Sequence, residues 1–107
     1  MPNVNANLNC SRRLVIYAVF DVLDKMGGEY EQTMRGDIRA EVKVLDHTSE
    51  YAFAVTEQNT DHSILHVSIL RPAKDMTEQD KWLAVRYMAD SILLHIDEVQ
   101  ALEQQGE

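Results

Sequence analysis

The sequence predicts an α+β fold: one small domain with an N-terminal helix, an antiparallel meander sheet of three or four strands, and a long C-terminal helix packed on one sheet face. Three observations carry this. Residues 77–104 place apolar side chains at helical spacing along almost their whole length. Three segments in the middle of the chain alternate apolar and polar residues with period two, as half-covered strands do. The links between those segments are short and polar, which suits antiparallel neighbours.

The bounds come from size and composition. At 107 residues the chain is of single-domain length and long enough to bury a core without disulfides or metal. With 45% apolar and 26% charged residues it has the composition of an ordinary globular domain. Ten Lys and Arg stand against 18 Asp and Glu, a formal net charge of -8. That balance excludes a general nucleic-acid binder, which needs surplus cations to neutralise phosphates, and it opposes docking to an anionic membrane surface. The single cysteine, Cys10, rules out an internal disulfide and fits a reducing compartment. Ser11-Arg12-Arg13 before the apolar run 14–20 superficially matches a twin-arginine export signal. The run is too short, acidic residues follow at once and no small-residue cleavage site appears, so a cytoplasmic protein is expected. No stretch approaches the roughly 20 apolar residues of a membrane span.

Taken in order, residues 1–9 are Asn-rich and polar, and read as a flexible arm. Residues 11–26 contain the run LVIYAVF, which has strand-like composition. On a helical projection, however, Val15, Ile16, Val19, Val22, Leu23 and Met26 share one face, and Arg13, Asp21, Asp24 and Lys25 the other. Ser11 (or Asn9) supplies an N-cap, Gly27-Gly28 a stop, and Asp21 with Lys25 an i,i+4 ion pair. Residues 29–71 are assigned to the sheet. Residues 29–34 give only a weak edge-strand signal, and Arg35-Gly36-Asp37 reads as a turn. Strands follow around Ile38–Val44, Tyr51–Thr56 and Ile64–Leu70, with Pro72 ending the last. Thr77 and Asp80 form a capping box at the start of the long helix, and the tail from Glu103 frays.

The long helix has two apolar sides of unequal width. Trp82, Val85, Met88, Ala89, Ile92, Leu93, Ile96 and Val99 form a broad face, expected against the sheet. Leu83, Tyr87 and Leu94, with Ala101, form a narrow stripe near the opposite side, bordered by Asp80, Asp90, Asp97 and Glu98. That stripe either covers the N-terminal arm or helix, or is a surface for a protein partner, most simply a second copy in a homodimer. The sheet's second face is also polar or small enough to be open to water or to a partner.

No reaction chemistry emerges. His62 and His66 stand four apart in a strand, about 13 Å at about 3.3 Å per residue, too far to share one ion. Cys10 lies beside the arm, a poor place for a preorganised nucleophile. There is no phosphate-binding glycine loop, nucleophile elbow or zinc spacing. The expectation is therefore no catalytic residue, no cofactor and no metal, with enzyme activity the less favoured class. The leading function is a protein-interaction or self-associating module acting through Leu83, Tyr87 and Leu94. The alternative is a small apolar ligand held between the curved sheet and the long helix, lined by Tyr51, Phe53, Trp82 and Met88.

Overall fold

A computed structural model describes residues 2–105. The elements run β1 (Asn3–Leu8), α1 (Arg12–Lys25), β2 (Glu29–Gln32), β3 (Ile38–Val44), β4 (His47–Asn59), β5 (His62–Arg71) and α2 (Glu78–Gln105). The five strands form one antiparallel sheet in the order β1-β5-β4-β3-β2. The α+β class, the antiparallel sheet and the long C-terminal helix thus stand as expected from the sequence. No helix among the described residues is long and apolar enough to cross a membrane.

The N-terminal arm needs correction. Asn3–Leu8 is a strand in full register with β5, from Asn3 opposite Ser68 to Leu8 opposite Ser63. Asparagine is a poor strand former, but Val4, Ala6 and Leu8 alternate with Asn3, Asn5 and Asn7, so the apolar set meets the core while the asparagines face out. The sheet consequently begins before α1 and has five strands, not three or four. Residues 29–32 do form a strand, β2, on the far edge.

The turns follow local chemistry. Ser11 Oγ accepts from the Leu14 amide at the start of α1. At its end Gly28 N–H reaches Leu23 O and Gly27 N–H reaches Asp24 O, the paired bonds of a Schellman cap, with Gly27 at φ +70°. Thr77 and Asp80 exchange hydrogen bonds of 3.0 and 3.1 Å, completing the capping box of α2. The β3–β4 link is shorter than its sequence suggests. It consists of Leu45 and Asp46 alone, both at positive φ, so β4 opens at His47, four residues before the Tyr51 where the sequence alternation places its start. Two successive left-handed residues make the turn that matches strand twist, at the expense of holding a leucine where asparagine or glycine is favoured.

Both helices lie on one face of the sheet. α1 packs on β4 and β5, α2 on β5 and β1, and the two helices touch each other. The core joins alternate strand residues (Ile38, Val42, Val44, Tyr51, Phe53, Leu65, Val67, Ile69) to Val15, Val19, Leu23, Val85, Met88, Ile92 and Ile96 of the helices. Trp82, expected in this core, is 50% exposed instead. Its place on the projection is the rim of the broad face, and Ala84, a smaller residue on the other rim, is buried in its stead.

One polar element ties the last connection to the sheet. Buried Ser49 accepts from Ala73 N–H at 2.9 Å and donates to Met76 Sδ at 3.2 Å, fixing the segment that leads into α2. Next to it Tyr51 is wholly buried, and its hydroxyl has no hydrogen-bond partner among the described residues. Burial pushes the Tyr51 phenol from about 10 up to about 12, with nearby Ser49 opposing. An unfolded tyrosine ionises near 10, so the folded state holds its proton more tightly, and stability present below pH 10 is lost as pH rises toward 12.

Two predictions come from these local strains. Tyr51→Phe should leave stability at pH 7 unchanged or raise it by up to about 1 kcal/mol, because the nearby Ser49 hydroxyl is already engaged with Ala73 N–H and Met76 Sδ and forms no hydrogen bond of full geometry to the phenol. Urea melts of the two proteins from pH 9 to 12 should diverge by about 2–3 kcal/mol in favour of the variant, and parallel curves would refute the burial argument. Leu45→Asn should raise the thermal midpoint, through about 0.5–1 kcal/mol of relieved backbone strain, with no change in the folded circular dichroism spectrum.

Candidate interaction surface

The exposed ridge of α2 is built by the same helix that supplies six residues of the buried core. Its buried residues (Ala84, Val85, Met88, Ala89, Ile92, Ile96) follow steps of three and four, which leaves the opposite arc to Leu83, Tyr87, Asp90, Leu94, Asp97 and Ala101. Leu83, Tyr87 and Leu94 are 50%, 46% and 60% exposed. The N-terminal segment does not cover them, since β1 is committed to the sheet edge against β5. Leu102, one turn beyond Glu98, is also exposed, but it projects about 80° from Leu94 and lies off this ridge.

Tyr87 and Leu94 also form one wall of a groove of about 220 Å³ between the helices, with Val22 and Met26 of α1 opposite. Leu83 stands outside this groove, farther along the ridge. The base of the groove is polar and fixed by His95. Its Nε2 meets Asp21 Oδ2 at 3.0 Å and its Nδ1 meets Lys25 Nζ at 3.4 Å. An ammonium only donates and a carboxylate only accepts, so these partners select the tautomer with the proton on Nε2. Asp21 and Lys25, expected to pair along α1, therefore bridge to α2 through one imidazole. The sequence offered no signal for this, because the partner lies 74 residues from Asp21.

The four residues proposed to line a ligand pocket do not gather around one. Tyr51, Phe53 and Met88 are fully buried in the core, whereas Trp82 is half exposed. Five depressions among the described residues, about 190 to 430 Å³ in volume, are lined by other side chains.

Two further clusters lie on the sheet's open face. Glu29, Glu41 and Glu50 sit directly across from one another on β2, β3 and β4, beside a depression of about 270 Å³ that Glu31 and Arg39 also line. Like charges in register oppose strand pairing, so this row is a local cost that burial on the other face must offset. His66 receives Nδ1–Asn5 Oδ1 and Nε2–Thr56 Oγ1 contacts of 2.7 and 2.9 Å. The order hydroxyl, imidazole, amide resembles that of hydrolytic triads. Here it spans three paired strands on the solvent-facing side of the sheet. Its effect is to pin β1 to β5 and β4. Cys10 is buried, and burial raises its thiol above the ordinary range, the reverse of what an activated nucleophile requires. His62 binds Asn59 Oδ1 in the β4–β5 turn, and His47 pairs with Asp75 at 3.2 Å. Among the described residues no three His, Cys, Asp or Glu side chains converge as a metal site would need. Compared with models of protein families and with curated proteins, the chain matches none.

Proposed function

We propose that the protein is a small protein-interaction module that self-associates through the exposed ridge of α2. The observation that carries this reading is the exposure of Leu83, Tyr87 and Leu94 on one line of a helix whose opposite face supplies Val85, Met88, Ala89, Ile92 and Ile96 to the core. Between Leu83 and Leu94 the ridge runs about 16 Å at about 1.5 Å per residue, long enough for a helix–helix seam. A second copy is the occupant that the charge pattern favours. Arg86 lies at the N-terminal part of the ridge and takes no carboxylate partner among the described residues, while Asp90, Asp97 and Glu98 flank its C-terminal part. Antiparallel pairing about a twofold axis sets Leu83 against the partner copy's Leu94 and turns each Arg86 toward Asp90 of the other chain, with the opposition of Asp80 and the partner copy's Glu98 left at the solvent-exposed ends of the seam. Parallel pairing would stack those acids on one another, on top of the repulsion expected between two chains of net charge -8.

Sedimentation equilibrium provides the test. The wild type should be a dimer, and the double variant Leu83→Glu, Tyr87→Glu should be a monomer with unchanged circular dichroism, since both side chains lie outside the core. Arg86→Glu should weaken the dimer about tenfold or more, as expected for reversing one charge at an interface. A wild type that stays monomeric at millimolar concentration removes the reading.

A further inference from the structure

A second depression, of about 410 Å³, lies between the first half of α1, the end of β2 and the far end of β4. It is lined by Arg12, Arg13, Ile16, Tyr17, Phe20, Gln32 and Glu57. It is remote in sequence from the α2 ridge, and the self-association reading makes no use of it.

Its cations are arranged in an uncommon way. In a chain with 18 acids and 10 Lys and Arg, neither Arg12 nor Arg13 has a carboxylate within 4 Å among the described residues. Both guanidinium groups are nevertheless held in place. Arg12 Nε donates to Val55 O at 3.1 Å, where β4 has run past the last residue of β3 that pairs with it. Gly36, at φ +94°, lies against the same guanidinium, and a Cβ there would stand 3.1 Å from Arg12 Nη2. Arg13 Nε donates to Tyr17 Oη at 3.2 Å, and its guanidinium carbon lies 5.5 Å from the Tyr17 ring centroid. In each arginine the Nε is occupied, and the Nη donors, apart from the Arg12 Nη2 packed against Gly36, have no carboxylate partner where the two side chains line the depression. Two fixed forks without an anion, over a wall of Ile16, Tyr17 and Phe20, form a site lacking one kind of group.

From this geometry we infer a binding site for a monocarboxylate carried on an aromatic or aliphatic stem. The carboxylate meets Arg12 and Arg13, the stem lies along Ile16, Tyr17 and Phe20, and the second N–H of Gln32 Nε2, whose first is bound to Gly36 O at 3.1 Å, provides a further donor. Glu57 on the wall penalises a dianion more than a monoanion, which favours carboxylate over phosphate. The cavity volume falls within the range of small-molecule sites. A free organic acid and an acidic side chain next to an aromatic residue in a peptide present the same chemistry.

Titration followed by amide chemical shifts of the full chain tests the site, using 3-phenylpropionate, its neutral amide, and acetyl-Glu-Phe-amide as probes. The acid should cause saturable shifts confined to residues 12–20, Gln32 and Glu57, and the neutral amide should bind about tenfold more weakly or worse. Arg13→Gln, at an exposed position, should weaken the acid about tenfold with an unchanged fold. Tighter binding of 3-phenylpropionate assigns the site to a small metabolite-like acid, and tighter binding of the peptide assigns it to an acidic segment of a protein. Equal binding of acid and amide, shifts centred elsewhere, or no saturation by either acid overturns the inference. None of these outcomes depends on whether the protein dimerises.

Discussion

Odd and even positions of the central strands govern the architecture. In β4 and β5 the odd residues Tyr51, Phe53, Leu65, Val67 and Ile69 are apolar and buried, while the even residues between them are small or polar. A sheet built this way has one face that must be removed from water and one that need not be. Both helices are drawn to the same side and share β5 beneath them, with α1 reaching toward β4 and α2 toward β1. A one-residue slip of β5 against β4 would turn Leu65, Val67 and Ile69 outward together, so register and core are one constraint. The irregularities that are tolerated lie outside the central block, near Glu50–Tyr51 and Glu57–Asn59.

That same alternation explains how much of the fold could be read from the sequence. Period two in β3, β4 and β5 and period 3.6 in the helices are set by burial, the strongest local signal a chain carries. The caps were legible too, because Ser11, Gly27-Gly28, Thr77 and Asp80 act within a few residues of themselves. Asn3–Leu8 was read as an arm because asparagine content outweighed a three-residue alternation. Strand β1 depends on β5, more than 50 residues later, to supply the ladder. Trp82 was misplaced for another reason. A projection gives an angle about the helix axis but not where the covering layer ends, and at the rim a bulky residue stays in solvent while Ala84 fits beneath α1.

The candidate surfaces divide in the same way. Leu83, Tyr87 and Leu94 could be named in advance because an apolar stripe on the back of a packed helix is itself a violation of amphipathicity, visible in one segment. The His95 bridge to Asp21 and Lys25 and the hold of Val55 and Gly36 on Arg12 join distant segments, and no periodicity announces them. In the sequence Arg12 and Arg13 stand only as part of a superficial export motif and, for Arg13, as a charge on the polar face of the first helix. Their role became visible once the fold placed them over a depression with aromatic walls.

Charge placement links the two surfaces physically. A chain with net charge -8 repels its own copies at long range, so close association requires an apolar seam with cations set against the partner's acids. α2 has that order along its length: acids at its positive N-terminal end, where Glu78 and Asp80 are held below the usual carboxylate range by Lys81 and Thr77 respectively, then Arg86, then acids again. The start of α1 has the inverse, two arginines at the end of a helix that favours anions and no acid in its first turn. Such an arrangement opposes the helix dipole, and the hydrogen bonds to Val55 and Tyr17 orient the arginines without neutralising them. An anion bound there would remove the conflict, so its binding and the stability of α1 should be thermodynamically coupled.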